Sequence, residues 1–184
     1  MRKINWPVGL LLVAMLASGV RAHGQVSLYG EGTADYLKGG PDTNFLYGAT
    51  TGVLIDGPQL IHNKLLVSAD FQGNFVYESG AGGTYLAAGE QYDAITLGPR
   101  FTLVRTFFKL QPYAQFNVGF ARYHDPTIHS TTDSVYGVQG GVTRRLTPRF
   151  DALVDYSYSQ FGYDSNYYNP QTISAGLVYH FVKR

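Results

Sequence analysis

Two groups of side chains could do chemistry. The first is His124, Asp125, His129 and Ser130, within "HDPTIHS", residues 124–130. Ser, His and Asp are the nucleophile, base and orienter of hydrolytic catalysis. These four are nearly contiguous, and neighbours along a chain rarely converge into a triad. Ser130 does not sit in a G-x-S-x-G elbow. Two histidines with no third ligand do not define a metal site. The plain reading is a solvated loop. The second group is a set of isolated charges: Glu31, Lys64, Asp70, Arg100 and Asp155. Each lies on the polar side of an alternating stretch. If that side is enclosed, the charges must pair, because an unpaired buried charge costs several kcal/mol, or about that order. Their role is then a stiffening plug or, as the alternative, a gate or ion path.

The elements that must position them are strands. "AQFNVGFARY", 114–123, places Ala114, Phe116, Val118 and Phe120 on one face and Gln115, Asn117 and Gly119 on the other. A period of two is a strand with unlike faces. Repeated along the chain, the pattern predicts about eight strands, at 25–36, 45–55, 61–77, 91–103, 110–123, 134–146, 150–159 and 171–181. The connections alternate long and short. Lys38 to Asn44, Glu78 to Gly89, His124 to Asp133 and Gln160 to Asn169 are long. Asp56-Gly57-Pro58-Gln59 and Thr147-Pro148-Arg149 are tight, and Val104 to Lys109 is intermediate. An up-and-down barrel in an outer membrane produces this alternation, with long outer loops and short periplasmic turns. A Greek-key sandwich does not. The expected fold is an all-β, eight-stranded, antiparallel up-and-down transmembrane barrel.

The ends and the composition point the same way. Arg2 and Lys3 precede an apolar run, Val8–Ala17, and Val20-Arg21-Ala22 reads as a cleavage site. We read residues 1–22 as a signal peptide and 23–184 as one barrel domain. The chain has no Cys, which excludes thiolate metal sites and disulfides. Its net charge of +1 attracts no nucleic acid. No residue pattern calls for a cofactor or a metal.

The polar face decides which side is enclosed. A soluble β-protein covers its wet face with Lys and Glu. This chain has five Lys and three Glu. Its polar faces are Gln, Asn, Ser, Thr and Gly, which suit a narrow packed lumen, so the oily face meets lipid. The second strand alternates too poorly to orient. By parity Tyr36, Tyr77, Tyr136 and Tyr158 form one outward aromatic row, and Phe101, Phe150 and Phe181 the other. Such rows bound the apolar band of an outer-membrane barrel. Tyr29 and Tyr123 fall on the opposite parity. Arg144, Arg145 and Arg149 gather at the periplasmic end as an interfacial anchor, or as a contact with lipid phosphates or peptidoglycan. "QFGYDSNYYN", 160–169, has the Tyr and Asn of an adaptable contact surface.

"LGPRFTL", "KLQPYAQFNVGFARYH", "YGVQGGVTRRLTPRFDALVDYSYSQFG" and "ISAGLVYHF" together resemble the small outer membrane protein A-like β-barrel family. The resemblance covers Leu97 to Phe181 by motif and the first three strands by pattern. It implies a final strand whose outward apolar residues and closing Phe are read by the barrel-insertion machinery. Ile173, Ala175, Leu177, Tyr179 and Phe181 match, although Val182-Lys183-Arg184 follow the Phe. Many larger relatives add a periplasmic peptidoglycan-binding domain, and because this chain stops at the barrel that role is not implied. Alternation, loop lengths, the signal peptide and the resemblance together lead us to expect a monomer in the outer-membrane bilayer with a structural or adhesin-like role and no catalysis. The alternatives are a narrow pore, a lipid A-modifying enzyme using the third outer loop, and a soluble lipocalin-like carrier.

Overall fold

The computed structural model describes residues 25–38, 44–62, 64–77, 91–104, 109–124, 130–163 and 166–182. Eight strands run in chain order: β1 (Val26–Lys38), β2 (Asn44–Leu60), β3 (Leu65–Tyr77), β4 (Gln91–Leu103), β5 (Leu110–His124), β6 (Ser130–Arg145), β7 (Phe150–Tyr163) and β8 (Asn166–His180). Each pairs antiparallel with the next, and β8 closes on β1, with Ser27 opposite His180 and Gly30 opposite Leu177. Closure leaves no sheet edge, so every ladder is satisfied without water.

The polar face is the inside. Along the middle of β5, Gln115 and Asn117 are buried while Ala114, Phe116 and Val118 are exposed. Along β7, Asp151 and Asp155 are buried while Phe150, Val154, Tyr156 and Tyr158 are exposed. Tyr77, Tyr136 and Tyr158 stand outward at one end, and Phe101, Phe150 and Phe181 at the other. Tyr36 is half-buried against Phe45, with ring centroids 5.2 Å apart. We call the end that carries both termini the termini end, and the opposite end the loop end.

Several boundaries differ from the sequence reading, and β6 starts at Ser130, inside the expected third outer loop. The turn expected at Asp56–Gln59 is part of β2. There the register with β3 shifts, so Gly57 and Pro58 mark a bulge rather than a reversal. The chain reverses at 61–64, where Ile61 and His62 take φ of 51° and 54°. Lys64 therefore belongs to this turn and is exposed, so it is not an inward charge. The fourth outer connection is short, because β7 and β8 run on to Tyr163 and Asn166. Finally, β8 ends at His180, and Phe181 lies in the bend beyond it.

Strands of 13 to 17 residues exceed the roughly 9–11 that cross a bilayer. On β4, β5 and β6 the excess appears as a reversal of polarity at the loop end, whereas β2 and β3 keep Phe45, Tyr47, Phe75 and Tyr77 exposed there. On β5 the outward series Phe116, Val118, Phe120 becomes Arg122 and His124. The inward series Gln115, Asn117 becomes Ala121 and Tyr123. On β4 the outward Leu97 and Ile95 give way to Asp93 and Gln91, and the inward Thr96 to Ala94 and Tyr92. On β6, outward Val138 and Tyr136 give way to Ser134, Thr132 and Ser130. Polar outside and apolar inside is the pattern of strands in water.

Candidate functional site

The middle of the lumen holds the charge cluster. Glu31 on β1, Asp70 on β3, Arg100 on β4 and Asp155 on β7 are all buried on the inner wall. Arg100 Nη1 lies 3.9 Å from Asp70 Oδ2. Its guanidinium carbon lies 3.4 Å from the centre of the Tyr113 ring, a cation–π contact out of water. The Tyr113 hydroxyl donates to Asp155 Oδ2 at 2.7 Å, and the Tyr29 hydroxyl donates to Asp70 Oδ1 at 3.0 Å. One guanidinium thus faces three carboxyl groups, two of them held by tyrosines. Both Glu31 carboxyl oxygens are buried without a hydrogen-bond partner.

Two glycines make room for the tyrosines. A Cβ on Gly52 would stand 2.5 Å from the Tyr29 ring. One on Gly141 would stand 2.7 Å from Tyr113 and 2.6 Å from the Asp155 Cβ. The sequence reading noted Tyr29 only as an exception in parity and singled out neither Tyr113 nor these glycines. The signal was parity, since Tyr29 shares a face with Glu31, and Tyr113 shares one with Gln115.

Towards the loop end the wall is hydrogen-bonded and carries one further buried acid, Asp35, which accepts from Asn74 Nδ2 at 3.3 Å. Thr33 contacts Thr50 at 2.7 Å and Ser174 at 3.2 Å, and Asn117 donates to Gln139 at 3.2 Å. Beyond it lies an apolar cluster inside the barrel: Leu46, Val76, Tyr92, Ala94, Ala121, Tyr123, Val135 and Phe161. Tyr168 packs against it, with ring centroids 5.6 Å from Phe161 and 5.5 Å from Tyr123. This cluster fills the lumen at the loop end.

Towards the termini end Ser27 Oγ lies 2.7 Å from His180 Nδ1, and His180 Nε2 lies 3.0 Å from Asp151 Oδ2. The three come from β1, β8 and β7. The order is that of a nucleophile–base–acid relay. Yet Ser27, His180 and Asp151 are 1%, 2% and 2% exposed, so an acyl substrate has no approach. The relay pins the closing seam between β8 and β1. Sequence reading missed it because its members are 153 and 29 residues apart.

At the rim of the loop end, His124 Nδ1 lies 2.7 Å from Ser130 Oγ, and Arg122 Nη2 donates to that oxygen at 3.3 Å. All three point outward. Asp125 and His129 lie outside the described residues. Among the described residues no group of three or more His, Cys, Asp or Glu is arranged to hold a metal ion. In the last strand Ile173 and Leu177 point outward and Tyr179 is half-buried.

A closed barrel with an oily exterior, a packed polar lumen and strands overlong for the bilayer is an outer-membrane architecture. Residues 8–181 match the family described as Outer membrane protein beta-barrel domain. The chain belongs to that family. Among solved structures, this outer-membrane barrel is similar to Neisserial surface protein A, with a TM-score of 0.65 and 16% identity over 85% of this chain and 97% of that one. It is similar to Ail, the attachment invasion locus protein of Yersinia pestis, with a TM-score of 0.53 and 16% identity over 85% and 99%. The outer membrane enzyme PagL gives a TM-score of 0.53 and 11% identity over 81% and 98%. At these identities the likeness is one of fold. No curated protein matches the chain in sequence.

Proposed function

We propose that this barrel is a non-catalytic surface-interaction protein that contacts partners through its loop end. The observation that carries the reading is the polarity reversal with its apolar core. Above the bilayer β4, β5 and β6 hold polar groups outward on a stiff rim around that core. Arg122, His124, Ser130, Thr132 and Ser134 stand on that rim. A preorganised surface loses little entropy on binding. The orientation is taken from the longest connection, between β3 and β4, which leaves the loop end, since outer-membrane barrels carry their long loops outward. Residues 1–22 act as the export signal. The outward side chains of Ile173, Leu177, Tyr179 and Phe181 serve as the mark for insertion. The adhesin-like Ail shares this architecture, which is consistent with the reading.

The filled lumen disfavours a pore. An eight-stranded barrel is just wide enough for side chains to fill, and the apolar cluster would have to move before ions could cross.

The test is adherence. The full chain is expressed in a non-adherent Gram-negative host, beside a variant carrying Arg122→Ala, His124→Ala and Thr132→Ala. Retention on epithelial cell layers should rise with the native chain and fall back with the variant. Both proteins should still shift mobility on boiling in SDS. Equal retention of host, native and variant cells would sink the proposal.

The His124–Ser130 contact supports a second reading, acyl hydrolysis at the outer leaflet. Mass spectra of lipid A from cells with the native chain and with Ser130→Ala decide it. Identical spectra remove that reading.

A further inference from the structure

The exposed charges of the barrel are sorted by end. Among the described residues, the exposed ones at the termini end are Lys64 in the β2–β3 turn, Lys109 in the β4–β5 connection, Arg144 and Arg145 at the end of β6, and Arg149 in the β6–β7 turn. All five are basic. Among the described residues two acids reach this end, Asp56 and Asp151, and both are turned inward. Asp56 accepts from Ser68 at 2.9 Å, and Asp151 faces His180. Arg145 stands opposite Asp151 in the ladder, but that carboxylate is buried and the guanidinium is exposed. Among the described residues none of the five basic groups forms an ion pair within 4.0 Å. The loop end differs, since there Asp93 and Asp133 accompany Arg122.

The basic residues are interleaved with exposed apolar ones: Leu60, Ile61, Leu103, Leu110, Leu146 and Phe150. This decides between two anionic occupants. A polysaccharide or peptide polymer in water would leave these apolar tips uncovered. A bilayer interface accepts both, with the apolar tips among acyl chains and the Lys and Arg heads at phosphate level. Arg adds a planar fork that matches phosphate oxygens.

We propose that the termini end is a ring that selects anionic phospholipid headgroups in the adjoining leaflet, with phosphate as the recognised group. Basic groups are contributed by all three turns, so the preference is collective. It draws anionic lipid around the barrel foot and holds the barrel at a set depth. Attraction of this kind weakens with salt. The opposite end plays no part in it, so this proposal stands or falls apart from the surface-interaction role.

The experiment uses the full mature chain in nanodiscs of phosphatidylcholine with added phosphatidylglycerol. Lipids that stay bound are counted by native mass spectrometry. The native barrel should retain phosphatidylglycerol several-fold above its share of the bilayer, and less so as salt rises. A variant with Lys64→Gln, Lys109→Gln, Arg144→Gln and Arg149→Gln should retain both lipids in proportion. All four positions are exposed, and a mobility shift on boiling in SDS confirms that the variant is folded. Arg122→Gln, at the other end, should behave as native. Proportional retention by the native barrel overturns the proposal. So does an unchanged preference in the four-site variant, or an equal loss with Arg122→Gln. Displacement of the lipid by inorganic phosphate would make free phosphate the ligand and overturn it too. Sedimentation of the native barrel with peptidoglycan sacculi, without lipid preference, would make the polymer the partner instead.

Discussion

The middle of the barrel and its loop end solve opposite problems with the same strands. In the middle, water is absent outside, so the outer face is Val154, Phe116 and Leu97 and the inner wall carries charge. Arg100, Asp70, Asp155 and Glu31 face one another there, with Tyr29 and Tyr113 between them. At the loop end water is outside. The outer face becomes Arg122, His124 and Ser134, and the inside becomes Leu46, Tyr92, Val135 and Phe161. The hydrophobic effect therefore stabilises the two ends of one strand in opposite directions. The middle depends on polar pairing for its specificity. The loop end depends on packing, as a soluble domain does.

The comparison can be broken at each level. The largest effect should follow Arg100→Ala. It leaves three buried carboxyl groups without their cation and should cost roughly 3–5 kcal/mol. Equilibrium urea unfolding in lipid vesicles measures it. A loss near zero would show that the cluster carries no net pairing. Phe161→Ala empties the centre of the apolar cluster and should cost about 3 kcal/mol in the same assay. It should also loosen the loop end alone, read as faster amide exchange at Tyr92 and Tyr123 than at Arg100. Uniform exchange would mean that the two regions are one cooperative unit.

The lipid boundary is tested by a pair. Val154→Arg puts a charge against the bilayer core and should cost about 2–4 kcal/mol, whereas Ser134→Arg, above the reversal, should cost roughly 0–1 kcal/mol. Equal costs would remove the boundary from where the polarity changes. The smallest effect belongs to Lys64→Gln. Lys64 is an exposed turn residue, and in zwitterionic vesicles its loss should stay within about 0.5 kcal/mol. A loss like that of Arg100→Ala would return Lys64 to the lumen.

Much of this was legible in the chain because a strand's period is two. Parity alone put Glu31, Asp70, Arg100 and Asp155 on the inner wall. The same rule placed Tyr123 inward, where the faces have exchanged polarity, and Tyr29 inward, where its hydroxyl donates to Asp70 beneath a still oily outer face. Lys64 was misplaced for a different reason. Asp56-Gly57-Pro58-Gln59 has the composition of a turn, and the same residues suit a bulge. Ile61 and His62, which do reverse the chain, carry no turn signal. The β7–β8 connection looked long because Tyr163 and Asn166 are polar or aromatic, and such residues also suit strands that stand in water.

Alternation, turn spacing and scarce Lys and Glu determined by themselves that the chain is a barrel with a polar inside, since each is a local property of neighbouring residues. Only the tertiary structure decided which side chains meet. Tyr113 reaches Asp155 across 42 positions, and Ser27 reaches His180 across 153. Such pairs depend on the register between strands and on closure of β8 against β1. The place where the polarity reverses was written in the sequence of β4, β5 and β6, yet it became readable only once those strands stood side by side. It is a level in space shared by neighbouring strands, set by where the bilayer ends.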